Sequence, residues 1–201
     1  MTATLPEFDE LNNIKTEISK VVLGTDGDWH TTRRRCEDMI FELITMGYVY
    51  GIEVAGLDLE TDIPVSASRM YEVADTPTKD ETFRDRIDTH FREYEETQDA
   101  ETLINQLSVI AETETHRAIN TGSLDGAEEY QRQHPDMTVM KTWMTMLDER
   151  VRIEHDFLEG ATVPLDARFY APDGDSALYP GDFMQASLNV NCRCLLRYTT
   201  T

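Results

Sequence analysis

The spacing of apolar residues predicts helices over the first two thirds of the chain. A polar start contains one amphipathic piece, Leu11 to Leu23. Apolar residues then recur at steps of three and four from Cys36 to Tyr50, which predicts a long helix beginning near Thr31 or Thr32. Further helices are expected over about 79–96, 99–121 and 124–133, with Gly122 as the C-cap that ends the second of these. The stretch 58–79, which contains Pro64 and Pro77, is expected to be irregular.

After Pro135 the pattern changes to short alternating or apolar runs that suit strands. Strands are predicted at Thr138–Thr145, within Gly160–Tyr170 and at Asn191–Tyr198, with a turn and one short helix over Asp148–Leu158. The charge shifts as well, from 35 acidic and 15 basic residues in 1–160 to 4 and 3 in 161–201. We therefore predict an α+β protein with a mainly helical body, 1–135, and a small mixed module, 136–201.

The chain is strongly acidic, and this bears on its partners. It has 201 residues, 18 of them Lys or Arg and 39 Asp or Glu, for a formal net charge of −21. A general affinity for free nucleic acid or for an anionic membrane is excluded, because phosphate binding needs clustered cations. The 4 Lys, 14 Arg and 24 Thr beside so many carboxylates favour a protein adapted to high salt, where repulsion between carboxylates is screened. An ordinary acidic soluble protein is the alternative.

The apolar segments, the start of the sequence and the number of cysteines exclude further classes of protein. The most apolar region, Ile40–Leu57, contains Glu42 and Glu53, so no membrane span is predicted. The start MTATLPEFDE has no basic residue and no apolar core, unlike a secretory signal. Three cysteines do not make a disulfide framework. Cys36 lies on an apolar helical stripe and is expected to be a core residue.

The other two cysteines could hold a metal ion. On a strand, Cys192 and Cys194 would point to the same face, and with His155 they would offer zinc three of its preferred ligands. Asp182 or Asp148 could supply a fourth ligand. The alternative is that both thiols are simply buried and that His155 hydrogen-bonds to the backbone or to Asp148. A metal here would be one structural zinc.

The polar cluster at 148–155 offers acids and a histidine, but a structural interpretation is favoured over a hydrolytic one. Asp148 can cap the helix that follows, and Arg150 and Arg152 can pair with acids of the helical body while Trp143 packs underneath. The chain has no Gly-rich phosphate loop, no Gly-x-Ser-x-Gly elbow and no His-Glu-x-x-His motif. No catalytic or cofactor-binding residue is assigned, and the protein is not expected to be an enzyme.

Residues 111–197 contain several short motifs in the same order in which one protein family carries them. They are Thr113-Glu114 with Arg117, Asn120 and Gly122; Lys141-Thr142-Trp143 with Asp148, Arg150, Arg152 and His155; Val163-Pro164-Leu165-Asp166 with Phe169; Tyr179-Pro180-Gly181-Asp182; and Asn191-Cys192-Arg193-Cys194. This ordered set resembles the MuF-type phage head morphogenesis proteins, the minor head or minor capsid proteins of tailed viruses. The chain departs from the pattern at 152–155, where many members carry Cys-Pro-x-Cys, and at Asn189-Val190, where they carry His-Pro.

The resemblance implies a component of the virion, located in the head interior or portal region and present in the host cytoplasm during assembly. Its implied partners are the portal protein, the major capsid protein or both, in support of head assembly or of genome packaging and exit. An oligomer in the virion is possible, and sequence-specific nucleic-acid binding and membrane binding are not expected. Aromatic and Arg side chains are enriched at interfaces, so the interface candidates are Trp143, Phe169, Tyr170, Arg150 and Arg152.

Two alternatives belong to other functional classes. One is a metal-dependent enzyme or toxin-like effector that uses His155, Cys192 and Cys194. The other is a stand-alone binding module, such as a scaffold or host-interaction protein of a provirus. Neighbouring genes for a portal and a major capsid protein would favour the head protein over both.

Overall fold

A computed structural model describes residues 9–24, 28–77 and 81–201 of the chain. The body is helical and the C-terminal part contains short antiparallel strands, which confirms the predicted α+β class. A short 3-10 helix, Asp9–Asn13, comes first. The helices of the body are α1 Ile14–Leu23, α2 Trp29–Asp58, α3 Ala67–Asp75, α4 Phe83–Thr97 and α5 Ala100–Gln133. The remaining elements are β1 Val139–Met144, α6 Ile153–Asp156, β2 Thr162–Pro164, β3 Phe169–Tyr170, β4 Ser176–Ala177, α7 Ala186–Asn189 and β5 Leu195–Thr200.

Side-chain caps fix where the long helices begin. The Asp28 carboxylate accepts from the Thr31 backbone N–H, so α2 begins slightly before the predicted Thr31 or Thr32. Thr82 and Asp85 form a reciprocal capping box at the start of α4. Asp99 caps α5 through the Thr102 N–H. Helix α3 lies within the stretch predicted to be irregular, and Ser66 caps its first turn.

The predicted stop at Gly122 is wrong, because α5 continues through it to Gln133. Gly122 is there for packing. A Cβ at this position would lie 2.1 Å from the Tyr48 carbonyl oxygen, and one at Gly51 would lie 2.0 Å from the Ile119 carbonyl oxygen. The contacts advance together along both helices, from Gly47 against Thr115 to Gly126 against Ala55, so α2 and α5 run parallel. Glycines let the two backbones touch.

The helical body has its own core around this helix pair. Apolar side chains from α1, α2, α4 and α5 meet there, and they include Ile18, Cys36, Ile44, Ile87 and Leu107, all fully buried. The prediction that Cys36 is a core residue is confirmed. By length and composition α2 could cross a membrane, but 61% of its most apolar window is buried inside the protein. Its apolar character is therefore accounted for by the core.

The main sheet has three antiparallel strands in the order β2-β1-β5. Strand β1 pairs with β5 from Val139 opposite Thr200 to Met144 opposite Leu195, and with β2 from Met140 opposite Pro164 to Thr142 opposite Thr162. Strands β3 and β4 form a separate pair. Burial alternates along β1, so Val139, Lys141 and Trp143 share the core face.

A second core joins the sheet to the ends of the long helices. It combines Ala55, Leu124 and Tyr130 of the helices with side chains of the C-terminal part such as Trp143 and Leu196. Polar interactions add to the packing between the sheet and the helices. The Arg197 guanidinium pairs with Asp58 at 2.8 Å, and the hydroxyls of Ser123 and Tyr198 lie 3.0 Å apart. The division into a body, 1–135, and a module, 136–201, stays a prediction.

Candidate metal centre

Three soft or borderline ligand atoms converge in the C-terminal part. The Nδ1 of His155 lies 3.6 Å from the Cys192 Sγ and 3.4 Å from the Cys194 Sγ. All three ligand atoms lie within 4.8 Å of one another, and all three residues are buried. The three residues that the sequence singled out as metal ligands are therefore neighbours in the fold, although they come from segments far apart in the chain.

Helix α6 and an aromatic cage position His155. The helix is one turn long, and the His155 backbone N–H donates to the Arg152 carbonyl. The imidazole packs with its ring centroid 5.6 Å from the Trp143 indole, edge to face, and 5.7 Å from the Phe183 ring, stacked. Two aromatic contacts from different segments thus fix the plane of the ring. The Nε2 atom is buried and has no hydrogen-bond partner among the described residues.

The two cysteines precede β5 rather than lying on it, so the expectation of a strand that carries both is wrong. Asn191 has a φ of 55°, and its N–H donates to the Thr113 hydroxyl of α5. Arg193, between the cysteines, donates from both terminal nitrogens to Asp148 at 2.7 Å. The two thiols turn inward because this loop is held to the helix on one side and to Asp148 on the other.

A helix side chain fixes the end of the cysteine loop. The Asn120 amide of α5 donates to the Cys194 carbonyl at 3.0 Å. Neither Asn120 nor Arg193 was predicted to take part in this site. Their only signal in the sequence was their place in the motifs around Gly122 and between the two cysteines.

The thiols affect each other's protonation. A hydrogen bond from Cys194, together with the contact with His155, holds the pKa of the Cys192 thiol well below its usual range, although burial acts in the opposite direction. The same contact and burial raise the pKa of the Cys194 thiol. The pair therefore favours one thiolate beside one thiol, and thiolate is the form that binds metals.

Neither acid that could have supplied a fourth ligand joins this cluster. Asp148 is held by Arg193, and it accepts from the Arg150 N–H instead of capping α6. Asp182 accepts from Arg168 and from the Leu178 N–H. Both carboxylates are thus engaged elsewhere.

The interface candidates divide into buried and exposed residues. Trp143 and Phe169 are 0% and 2% exposed and form part of the second core, so a role as surface anchors does not fit them. Tyr170 is exposed. Arg150 is exposed and pairs with Asp148, whereas Arg152 donates to the Val190 carbonyl. Within the described parts of the chain, neither arginine contacts the acids of the helical body as the sequence suggested.

The segment 146–157, which leads from β1 to the end of α6, exposes apolar side chains. Leu147 is 73% exposed, Ile153 83% and Phe157 66%. Ile153 and Phe157 are one helical turn apart and share a face. Large apolar side chains at this exposure are not part of the core, and their concentration in one segment marks a candidate contact surface.

Comparison with known proteins places these motifs in a family. The family model described as Phage Mu protein F like protein matches residues 79–197, more than half of the chain. Minor head protein GP7 of Bacillus phage SPP1 is 33% identical over 88 residues, which cover 44% of this chain and 28% of that protein. An NAD(+)–arginine ADP-ribosyltransferase, EFV, of Enterococcus faecalis is 33% identical over 97 residues, 48% of this chain and 19% of the enzyme.

The aligned parts span under a third of the length of these relatives. No solved structure matches the chain. The family match covers α4, α5 and nearly all of the C-terminal strands, which are the elements that build and surround the cluster of His155, Cys192 and Cys194. The protein therefore belongs to the Phage Mu protein F like family, the MuF-type head morphogenesis proteins that its sequence motifs resemble.

Proposed function

We propose that this chain is a minor head protein of a tailed virus that docks on the portal ring or the inner capsid and supports head assembly or genome packaging and exit. The observation that carries the proposal is the family match over residues 79–197. The 33% identity to a minor head protein supports it. Docking and packaging are our extension of the family assignment to this chain.

The charge of the chain supports docking on protein rather than coating of the genome. At a formal net charge of −21, the surface of the protein repels DNA phosphates. Two basic side chains of the C-terminal part are engaged in internal ion pairs, Arg193 with Asp148 and Arg197 with Asp58. A role next to packaged DNA therefore requires that other proteins hold the chain in place.

We assign the docking surface to the exposed apolar residues of segment 146–157, and its occupant to a portal subunit. Leu147, Ile153 and Phe157 expose large apolar side chains within one short segment of a strongly acidic chain. Interfaces gain most of their energy from such anchors once water is excluded. This replaces Trp143 and Phe169, which are buried, as the anchors of the interface.

The alternative of a metal-dependent enzyme or toxin-like effector has less support. His155, Cys192 and Cys194 are buried, and the cavity beside them measures about 10 Å³. A substrate pocket is usually some 300–1,000 Å³. The similarity to an ADP-ribosyltransferase covers 19% of that enzyme. No substrate-sized cavity adjoins the candidate ligands within the described part of the chain.

We also propose a host that accumulates salt. The support is compositional: 39 acidic residues against 18 basic ones, of which only 4 are lysines. Carboxylates at this density repel one another strongly in dilute buffer, and molar salt screens them within a few Å.

Co-expression with the portal and major capsid proteins of the same virus tests the proposal. The tagged chain is purified in molar KCl, and native mass spectrometry identifies what co-elutes. We expect a complex with the portal ring, whose mass gives the copy number. An unaccompanied chain that captures neither head protein would contradict the proposal.

Surface variants test the assigned docking surface in the same assay. The double change Ile153→Asp and Phe157→Asp should abolish portal binding. Leu57→Asp is the matched control, because Leu57 is 66% exposed but lies at the end of α2. Tyr170→Asp tests the aromatic interface candidate that is exposed. Loss of binding in the Leu57 or Tyr170 variant with the double variant unaffected would place the interface elsewhere.

A further inference from the structure

We infer that His155, Cys192 and Cys194 bind one zinc ion that links α6 to the loop before β5. The inference is independent of the proposed role in the virus head, because it depends only on the local arrangement of three side chains. Cys192 and Cys194 follow His155 by 37 and 39 residues in the sequence, and the three side chains meet inside the protein.

The distances between the ligand atoms fit a shared tetrahedral ion. Zinc–sulfur bonds of about 2.3 Å and zinc–nitrogen bonds of about 2.0–2.1 Å at a tetrahedral angle place a sulfur and a nitrogen about 3.5 Å apart. The two observed separations are 3.6 Å, from His155 Nδ1 to Cys192 Sγ, and 3.4 Å, from the same nitrogen to Cys194 Sγ. The two sulfurs lie within 4.8 Å of each other, so all three atoms are close enough to share one ion.

Hydrogen bonding alone leaves this cluster poorly satisfied. The imidazole Nδ1 faces two sulfurs, which are weak donors and weak acceptors. The other ring nitrogen, Nε2, is buried without a partner among the described residues. The three converging atoms are Nδ1 and the two sulfurs, and their weak contacts with one another satisfy them poorly, so a stronger interaction at their centre would stabilise the cluster. A cation with an affinity for sulfur and nitrogen supplies it.

The ligands are held in place by contacts that need no ion. Trp143 and Phe183 orient the imidazole. The bidentate pair of Arg193 with Asp148 and the bond from Asn120 to the Cys194 carbonyl set the cysteine loop. Such outer contacts are typical of metal sites, where they orient the ligands and raise affinity.

A water molecule is the expected fourth ligand. The cavity of about 10 Å³ beside the cluster is lined in part by Met146, Arg150 and Val151, together with the three ligands. This is close to the smallest volume that admits one water. Two thiolates and an imidazole select zinc over the hard cations Mg²⁺ and Ca²⁺, which prefer oxygen. Thiol protons released on binding pass to solvent.

Metal analysis of the full chain, purified with a phosphine reductant and without chelator, tests the inference directly. After dialysis against zinc and then against metal-free buffer, we expect about one zinc per chain. Titration of the apoprotein with Co²⁺ should give the intense sulfur-to-cobalt absorption of a two-thiolate site, saturating at about one equivalent. Less than a tenth of a zinc per chain, or no such absorption with Co²⁺, would overturn the inference. Neither readout needs a variant.

Variants locate the site. Cys192→Ser, Cys194→Ser and His155→Gln should each lower zinc affinity by tenfold or more, which a competition titration with a chromophoric chelator measures. Cys36→Ser is the matched control, because Cys36 is a buried cysteine of α2 outside the cluster. A variant that combines Cys192→Ser with Cys194→Ser is verified as folded by circular dichroism. Unchanged zinc content in this variant would place the ion elsewhere and overturn the assignment.

Chelation of the wild-type chain provides a stability readout. Since the ion binds only the folded arrangement, its removal should lower the thermal midpoint by roughly 5–10 °C, and added zinc should restore it. The Cys192→Ser variant should show no change with chelator. The zinc content is measured in the same samples. If chelator removes the zinc from the wild type and the thermal midpoint does not change, the ion does not link α6 to the cysteine loop.

Discussion

Lys141 is fully buried on the core face of β1, which is an unusual place for an ammonium group. Its Nζ donates to the Leu178 carbonyl at 2.8 Å and lies 5.5 Å from the centroid of the Phe169 ring. Burial lowers the pKa of Lys141 to about 8, although the nearby carboxylates of Glu128 and Asp166 act in the opposite direction. The alternation of apolar residues along β1 did not predict that Lys141 is buried, because lysine is itself a polar residue.

The Lys141 site should make stability rise with pH between about 8 and 10.5. Below pH 8 the folded state carries a charged buried amine at a cost, whereas above it the folded amine is neutral while the unfolded one still binds a proton. The cost at pH 7 is on the order of 3 kcal/mol. The free energy of unfolding in urea is measured for the wild type and for Lys141→Met at pH 7, 8.5 and 10. As pH rises, the free energy of unfolding of the wild type should increase relative to that of the variant.

Lys20→Met is the control for this series, because Lys20 is exposed and pairs only with Glu17 among the contacts described. It should give no such trend. Parallel pH profiles for the wild type and Lys141→Met would show that the buried amine keeps its ordinary pKa, and the explanation of this site would fail.

Glu114 is the buried centre of an ion-pair group between helices. Its carboxylate accepts from Arg86 of α4 at 2.5 Å and from Arg117 at 2.8 Å, and Arg117 also donates to the Val73 carbonyl of α3. Burial pushes the pKa of Glu114 up, but the two guanidinium groups outweigh it and hold the pKa below its usual value. Its stabilising charge is therefore present above pH 4.5 and lost as pH falls through the lowered pKa.

Replacing Glu114 with Gln should lower the free energy of unfolding by about 3–5 kcal/mol, because Arg117 would remain buried without a counter-charge. The measurement is chemical unfolding at neutral pH and constant salt. Glu93→Gln removes an exposed contact with His90, which solvent screens, and should change stability far less. If the two variants lose the same free energy of unfolding, burial does not increase the contribution of the Glu114 ion pairs to stability.

The cluster of His155, Cys192 and Cys194 illustrates what the sequence could supply at the residue scale. Ligand chemistry and proximity of the two cysteines were evident from the sequence alone. The placement of the thiols was not, since they lie in a loop held by Asn120 and by the pair of Arg193 with Asp148. These contacts join residues tens of positions apart, which no local pattern encodes.

At the scale of elements, the parallel contact of α2 with α5 organises the helical body. Gly51 and Gly122 stand where the opposite backbone leaves no room for a Cβ. The same glycine that a local rule takes for a helix stop is thus a packing residue inside a 34-residue helix. Helix α3 was missed for a related reason: its periodic stretch is short and lies between two prolines, and burial of Val73 and Ala74 in the body stabilises it.

Gly51→Ala and Gly122→Ala should each destabilise the protein by at least about 1–3 kcal/mol, because either methyl group would force α2 and α5 apart. On helix propensity alone the same changes would stabilise by up to about 1 kcal/mol. Thermal and urea unfolding give the sign. Asn105→Ala, at an exposed position of α5, is the control and should be neutral or slightly stabilising. Stabilisation by the glycine variants would contradict the close contact.

At the scale of the whole molecule, charge and fold are coupled. A formal net charge of −21 on a chain of 201 residues opposes compaction, and ion pairs such as Arg86 with Glu114 and Arg197 with Asp58 neutralise only part of the acidic charge. The apolar patterns correctly predicted the fold class, and α1, α2, α4 and α5 lie in stretches that they predicted to be helical. They could not predict that a second core would tie the C-terminal strands to α2 and α5, because that contact depends on tertiary structure.

Stability should therefore depend strongly on salt. We expect the circular dichroism of the chain to show loss of structure, or a thermal midpoint lower by roughly 10 °C or more, in dilute buffer relative to molar KCl. The effect should be similar for KCl and NaCl, since screening is not specific for the cation. Equal stability in dilute buffer and in molar salt would argue against adaptation to a salt-accumulating host.

Quantitative mass spectrometry of purified particles can establish whether this chain is a component of a virus head. In particles of the virus that encodes it, we predict peptides of this chain at low copy relative to the major capsid protein, retained after the tails are removed. Particles of full infectivity that contain none of it, or copies that separate with the tails, would contradict a role in the head.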